Sequence, residues 1–104
     1  MSDPQSREES ESGAGVQEEI REPRNYKVLL HNDDYTTMEF VVQVLSTVFN
    51  KSEAEANRIM LSVHNNGVGV CGVYTAELAE TKVIMVRQMA RKGGYPLKCT
   101  MEEE

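Results

Sequence analysis

The stretch "YKVLLHNDDYTTMEF", residues 26–40, decides the fold because a strand, a turn and the start of a helix follow one another within it. Its first six residues alternate in the way that predicts a half-buried strand. Thr36 and Glu39 then have the spacing of a capping box, so we expect Thr36 to be the N-cap of a helix. Tyr35 and Phe40 occupy the matching positions of a hydrophobic staple.

Further signals along the chain predict the remaining elements. A second capping box, Ser52–Glu55, opens a second helix, and "NNG" ends it, with Asn66 or Gly67 able to take a left-handed conformation. In "VGVCGVY" the glycines of a second strand indicate close packing or a bulge. Thr75 can cap a third helix that ends at Gly93, and "YPLKCTM" predicts the last strand.

This order, β-α-α-β-α-β, predicts an α/β two-layer sandwich in which three helices pack on one small sheet. We expect the sheet to be three-stranded and antiparallel. The chain divides into three parts: a disordered acidic extension over residues 1–25, a core domain over residues 26–101 and an acidic tail over residues 102–104. The ends carry charges of −4 and −3, so the body between them is near neutral although the whole chain carries −6.

Composition excludes several classes of function. The basic residues are scattered rather than clustered, which argues against a nucleic-acid-binding protein. No apolar run approaches the length of a membrane span, and we expect a cytoplasmic protein with no membrane association. Cys71 and Cys99 lie in apolar runs with no metal-binding spacing, which favours reduced core cysteines.

The polar side chains after the first strand allow several kinds of site. His31, Asp33, Asp34 and His64 could supply mixed ligands to a metal, although none of their spacings matches a known zinc motif. An aspartate with His64 could form a hydrolase dyad, but no nucleophile or oxyanion loop accompanies it. Residues of this type before a helix most often form turns and caps. Because Thr36 and Glu39 are predicted to cap the helix, the other polar side chains exceed what the turn requires.

A binding site with two kinds of wall remains. An apolar hole with hydrogen-bond acceptors at its mouth suits a ligand that carries a hydrophobic group beside a cation, such as the first residue of a peptide. The polar wall comprises Asn32, Asp33 and His64, and the apolar wall comprises Met38, Val41, Met60 and Val63. We expect neither a cofactor nor a metal, and no enzymatic activity.

Three segments closely resemble the ClpS family, the bacterial adaptors of the N-end rule pathway. They are "YKVLLHNDDYTTMEFVVQVL", "RIMLSVHNNGVGVCGVYTAELAETK" and "YPLKCT", and together the match covers residues 26–101 in uninterrupted order. The resemblance implies an adaptor that binds proteins beginning with Leu, Phe, Tyr or Trp. Such adaptors deliver their substrates to the AAA+ unfoldase ClpA, which feeds the peptidase ClpP.

Carried over residue by residue, the resemblance assigns roles to the site. Asn32, Asp33 and His64 would hold the α-amino group of the substrate. The side-chain pocket would be lined by Leu30, Thr36, Met38, Val41, Met60, Val63 and Leu97. Among these, Met38 matches the family's gatekeeper against β-branched residues.

The resemblance also implies a docking surface and leaves an alternative open. Tyr35, Glu77 and Lys82 match positions associated with the N-domain of a ClpA-type unfoldase, and we expect a monomer. Thr37 stands where the family usually has proline, which would preorganise the helix start. The alternative is a modulator that docks on the chaperone without recognising N-degrons, and a small metal-dependent hydrolase is a more distant one.

Overall fold

The computed structural model describes residues 24–104, and its elements follow the predicted order β-α-α-β-α-β. Three helices cover one face of a three-stranded antiparallel sheet, so the predicted fold class is confirmed. The elements are β1 (Asn25–His31), α1 (Met38–Val48), α2 (Glu53–Asn66), β2 (Val68–Thr75), α3 (Ala76–Gly93) and β3 (Lys98–Glu103). Within this part of the chain, no helix is long and apolar enough to cross a membrane.

The first strand in the chain is the central strand of the sheet. The strand order is β2-β1-β3, and β1 pairs antiparallel with both neighbours. Between β1 and β2 the register shifts, because Val28 pairs with Gly72 whereas Leu29 pairs with Val70. Cys71 is therefore the extra residue of a bulge, which confirms one of the two interpretations of the glycines in this strand.

The carboxyl end of the chain belongs to the sheet. Glu102 pairs with Lys27 and Glu103 pairs with Tyr26, and the backbone N–H of Glu104 donates to the carbonyl of Asn25 at 2.9 Å. The predicted acidic tail is thus the end of a strand, because the strand satisfies backbone groups of β1 that would otherwise lie unpaired at an edge. The predicted extension over residues 1–25 lies outside the described residues except for its last two positions, and Asn25 already belongs to β1.

The core lies between the sheet and the helices. Val28 and Leu30 of β1 are fully buried beneath Val44 and Leu45 of α1 and beneath Val86 of α3. Apolar burial of this kind stabilises each such side chain by about 1.5–3 kcal/mol.

Both cysteines belong to this core. Cys71 and Cys99 are buried as free thiols. Burial raises the pKa of the Cys71 thiol far above its usual value and that of the Cys99 thiol to about 12. Both side chains therefore pack as neutral apolar groups.

The start of α1 differs from the prediction. Thr37 is the N-cap, and its hydroxyl accepts the backbone N–H of Phe40 at 3.1 Å. Thr36 instead belongs to the turn before the helix, where its backbone N–H and its hydroxyl both donate to Asp33 at 2.7 Å. The predicted capping box of Thr36 with Glu39 is therefore wrong, and so is the staple, since Tyr35 is 78% exposed.

The ends of α2 and α3 follow local signals more closely. Ser52 caps α2 by accepting the N–H of Glu55 at 3.2 Å, and Gly67 ends that helix with φ of 89°. Gly94 ends α3 in the same left-handed conformation, with φ of 79°. Glycine adopts this conformation without the steric cost that a Cβ atom imposes. Thr75 precedes α3 as its N-cap residue, without a side-chain cap hydrogen bond.

Candidate functional site

A cavity of about 260 Å³ opens where the loop after β1 meets α1 and α2. The loop contributes a polar side to it, and the two helices contribute an apolar side. Its lining residues are Asn32, Asp33, Asp34, Thr36, Met38, Val41, Met60, Val63 and His64. The structure thus brings together residues from a loop and two helices that are separated by up to 32 positions in the sequence.

A backbone hydrogen bond positions the loop against α2. The N–H of Asn32 donates to the carbonyl of Gly67, the residue that ends α2, at 2.9 Å. This bond joins the end of β1 to the carboxyl end of α2, whose last turn carries His64. Asn32 and His64 are both exposed at the cavity, so their side chains are free to face a ligand.

Asp33 organises the loop itself. Its Oδ1 accepts the backbone N–H of Tyr35 at 2.8 Å and that of Thr36 at 2.7 Å. Its Oδ2 accepts the hydroxyl of Thr36 at 2.7 Å. A carboxylate offers about four acceptor positions, so these three bonds leave one position for a ligand. The Asp33 side chain is therefore fixed in the loop and is not a surplus group, contrary to the expectation from the predicted capping box.

The same contacts keep Asp33 ionised. Burial is the largest single influence on this carboxyl and favours its neutral form. The hydrogen bonds from Thr36 and Tyr35 together outweigh burial and hold the pKa of Asp33 below its usual value. The side chain consequently remains an anion throughout the neutral range, and its geometry is set before any ligand arrives.

The mouth of the cavity favours a positive charge. Asp33 and Asp34 both line it, and no lysine or arginine does so among residues 24–104. The carboxyl end of α2 adds the partial negative charge of the helix dipole at the same place. Asp34 was assigned no role in binding an amino group from the sequence, although "NDD" placed it beside Asp33. Its exposed carboxylate adds to the negative potential of the mouth.

The apolar side has a rigid part and an adaptable part. Val41 and Val63 are 5% and 2% exposed and belong equally to the core, so their positions are fixed by packing. Met38 is 44% exposed and Met60 is half-buried, and their unbranched side chains can rearrange around ligands of different shape. The volume and the lining suit a single bulky apolar side chain.

Two residues predicted to line the side-chain pocket lie elsewhere. Leu30 is fully buried in the core beneath the helices. Leu97 lines a separate depression with Arg87 and Tyr95 near the end of α3. The strand order explains this correction, because β1 separates β3, which follows Leu97, from the edge on which α2 packs. The sequence shows that Leu97 precedes a strand, but it does not show on which side of the central strand β1 that strand lies.

The metal interpretation finds no support in the geometry. The Nε2 atom of His31 lies 2.7 Å from the hydroxyl of Thr100 on β3, and His31 does not line the cavity. Over residues 24–104, the structure assembles no group of three histidine, cysteine, aspartate or glutamate side chains that could hold a metal ion.

Two of the residues predicted to contact an unfoldase, Tyr35 and Lys82, lie near opposite ends of α1. Tyr35 is exposed in the loop before α1, whereas the ammonium group of Lys82 donates to the carbonyl of Val48 at the end of α1, at 2.7 Å. A helix of this length separates the two sites by about 16 Å. Glu77 is exposed in the first turn of α3, five residues before Lys82.

Fold and site together define a small α/β domain with a cavity that has an apolar wall and an anionic mouth. The family model described as ATP-dependent Clp protease adaptor protein ClpS matches residues 21–100. The chain therefore belongs to the ClpS family of Clp protease adaptors.

Individual relatives agree with this assignment. The chain is 72% identical over 82 residues to the ATP-dependent Clp protease adapter protein ClpS of Desulfatibacillum aliphaticivorans, which covers 79% of each chain. It is 65% identical over 88 residues to the ClpS protein of Nitratidesulfovibrio vulgaris strain Miyazaki F, covering 85% of this chain and 88% of that protein. Among solved structures, Agrobacterium tumefaciens ClpS2 bound to L-phenylalaninamide matches with a TM-score of 0.77 and 42% identity. That match covers 80% of this chain and all of the other.

Proposed function

We propose that this protein is a cytoplasmic adaptor that captures other proteins by their N-terminal residue and delivers them to the ClpA unfoldase of a ClpAP protease. The residues it accepts are Leu, Phe, Tyr and Trp. One observation carries the proposal, namely the cavity in which an anionic mouth and an apolar wall meet within about 260 Å³. An N-terminal residue combines a cationic amine with a side chain of the corresponding size.

In this proposal the polar residues bind the α-amino group. Such an amine has a pKa near 8 and is mostly protonated at neutral pH. Asp33 offers its one remaining acceptor position, and Asn32 and the imidazole of His64 supply two more. Each charge-assisted hydrogen bond contributes about 1.5–3 kcal/mol. Because Asp33 is already fixed by Thr36 and Tyr35, little entropy is lost when the amine binds.

The apolar wall then binds the side chain. Burying a Leu or Phe side chain contributes about 1.5–3 kcal/mol, and the two methionines accommodate branched and aromatic shapes. After the cost of association, these contributions are consistent with a dissociation constant near micromolar. The ligand of the Agrobacterium relative supports this assignment chemically. L-Phenylalaninamide carries a free α-amino group and a benzyl side chain, and its amide stands in for the peptide bond to a second residue.

The experiment that tests this function compares two fluorescent peptides that differ only in acetylation of an N-terminal Phe. We expect the free peptide to bind in a fluorescence-anisotropy titration and the acetylated peptide to bind at least tenfold more weakly. Equal binding of both would show that the amine is not recognised. Absence of binding by both would leave the alternative of a modulator that docks on the unfoldase alone.

Delivery is the second part of the proposal. The adaptor, as a monomer, presents the exposed Tyr35 and Glu77 to the N-domain of the unfoldase. Lys82 is less available for docking, because its ammonium group already donates a hydrogen bond to the carbonyl of Val48. Degradation of a Phe-initiated substrate by purified ClpAP should therefore depend on the adaptor, and substitution of Tyr35 or Glu77 should reduce delivery without changing peptide binding.

A further inference from the structure

A second surface lies along the seam between α1 and α3, away from the cavity. Two adjoining depressions of about 500 and 250 Å³ share Met89 and Lys92, and together they form one channel that we name the α1–α3 groove. Phe40 and Tyr95 lie at one end of it, and Val48 and Met85 lie at the other. None of these residues lines the cavity described above.

The floor of the α1–α3 groove is apolar. Phe40 and Val48 are 8% and 1% exposed, and the rings of Phe40 and Tyr95 stack with centroids 4.4 Å apart. Met85 and Met89 rise from α3 as adaptable side chains, and Met85 is 38% exposed. Phe40 and Val48 are eight positions apart on α1, so the groove is about 12 Å long, which equals roughly two turns of a helix.

The charges beside the groove have one sign. Lys92 lines both depressions, and Arg91 and Arg87 line a third depression of about 320 Å³ that shares Tyr95. No acidic side chain lines any of the three, among the residues that the structure describes. A partner that fits this surface must therefore present apolar side chains together with carboxylates.

We propose that the α1–α3 groove binds a short acidic amphipathic helix of a partner protein. Apolar residues three or four positions apart on that helix cover Met85, Met89 and Tyr95, and its carboxylates pair with Lys92 and Arg91. A second copy of this chain that used the same groove is a poorer occupant, because the contact would bring two basic surfaces together, with no carboxylate among their described lining residues to pair with them. The acidic N-terminal segment of the same chain is an alternative occupant, and the test below distinguishes it from a partner protein.

The test uses the full chain and a synthetic probe. The probe is a fluorescent fourteen-residue helical peptide with Leu along one face and Glu on the other, and its control has Lys in place of every Glu. We expect the acidic peptide to bind and the basic peptide to bind at least tenfold more weakly. Met85→Glu and Lys92→Glu should each weaken binding at least fivefold.

Matched variants separate the groove from general effects of charge. Ile84 is 53% exposed on α3 outside the groove, and Lys98 is exposed on β3, so Ile84→Glu and Lys98→Glu should leave binding unchanged. Equal effects of all four substitutions, or equal binding of the acidic and basic peptides, would overturn the proposal. Tighter peptide binding after Glu18→Gln, Glu19→Gln and Glu22→Gln would assign the groove to the chain's own segment instead. Self-association that Met85→Glu abolishes would assign it to a second copy.

Discussion

At the scale of single residues, Asp33 links the structure of the loop to its proposed function. Its carboxylate receives three hydrogen bonds from Tyr35 and Thr36 and retains one acceptor position for a ligand. From the sequence alone, turn formation and ligand binding are alternative roles for the polar residues before α1. Here one side chain satisfies both descriptions, because a carboxylate has more acceptor positions than the turn uses.

Asp33→Asn is the substitution that separates charge from geometry. An asparagine can still accept the backbone N–H groups of Tyr35 and Thr36, but it cannot pair with an ammonium ion. We expect an N-terminal Phe peptide to bind about 2 kcal/mol more weakly, which is about thirtyfold. Asp34→Asn, in the exposed neighbour, should cost less than threefold. An unchanged affinity of the Asp33 variant would contradict its assignment to the amino group.

His64 makes the proposed binding sensitive to pH. A neutral imidazole accepts a hydrogen bond from an ammonium ion, whereas a protonated one repels it. The peptide amine has a pKa near 8 and is mostly protonated at pH 7, and the pKa of Asp33 lies below its usual value, so neither group changes its charge appreciably as the pH falls from about 7 to 5. We therefore expect affinity to fall across this range. His64→Gln, which keeps an acceptor that does not titrate, should give a flat profile, and a flat profile for the unmodified protein would argue against the role of His64.

Met38 is the residue on which selectivity against β-branched residues is predicted to depend. It stands half-exposed at the cavity, so shortening it enlarges the space near the Cβ atom of the bound residue. Met38→Ala should improve binding of peptides that begin with Ile or Val by about tenfold relative to one that begins with Leu. Leu61→Ala is the control, since Leu61 is similarly exposed on α2 but does not line the cavity. Continued rejection of Ile and Val would place the selectivity elsewhere.

At the scale of the elements, α1 depends on groups outside itself at both ends. It begins one residue later than the capping pattern predicts, since Thr36 belongs to the turn that Asp33 organises and Thr37 is the N-cap. Its last turn contains no basic residue, and Lys82 of α3 supplies a cation to the carbonyl of Val48. Asn50 then turns the chain with φ of 56°, a conformation that asparagine tolerates better than most residues.

Lys82→Met tests whether this contact stabilises the domain. The variant keeps an unbranched apolar side chain but removes the charge at the end of α1. We expect the free energy of unfolding to fall by about 1 kcal/mol, which corresponds to a Tm lower by about 4–8 °C for a domain of this size. Lys98→Met, on the exposed surface of β3, should have little effect. If unfoldase binding weakened while stability did not change, Lys82 would be a docking residue in the sense that the family resemblance implies.

At the scale of the whole molecule, the close approach of α2 to β2 connects the sheet to the cavity. A Cβ atom at Gly69 would lie 2.7 Å from the Cγ2 atom of Val63 and 3.2 Å from the carbonyl oxygen of Ile59. These distances are too short for any residue but glycine unless α2 moves. Since Met60, Val63 and His64 of α2 line the cavity, a movement of α2 away from the sheet would also move this side of the cavity.

Gly69→Ala should therefore affect stability and binding together. We expect the free energy of unfolding to fall by about 1–3 kcal/mol from overpacking, and the affinity for an N-terminal Phe peptide to fall in the folded protein. Val70→Ala, on the exposed face of the same strand, should leave binding unchanged. Chemical denaturation and anisotropy titrations on the same samples would distinguish the two effects. Unchanged affinity in folded Gly69→Ala would mean that the cavity adjusts independently of the sheet.

The sequence by itself determined the order of the elements, the cap of α2 at Ser52 and the glycines that end α2 and α3. It also contained the two groups of residues, polar and apolar, that line the cavity, and the three segments that identify the family. These features depend on neighbours within a few positions along the chain, where hydrogen-bond geometry and periodicity follow directly from residue type.

Only the tertiary structure decided the matters that depend on distant partners. In the structure, Leu97 lies outside the cavity, and the acidic end of the chain belongs to a strand. Lys82 donates to the end of α1, and Thr37 is the N-cap of that helix. In each case the neighbouring residues in the sequence allow more than one conformation or contact of similar free energy. Packing and hydrogen bonding with residues from other elements selected among them, and no local pattern records that choice.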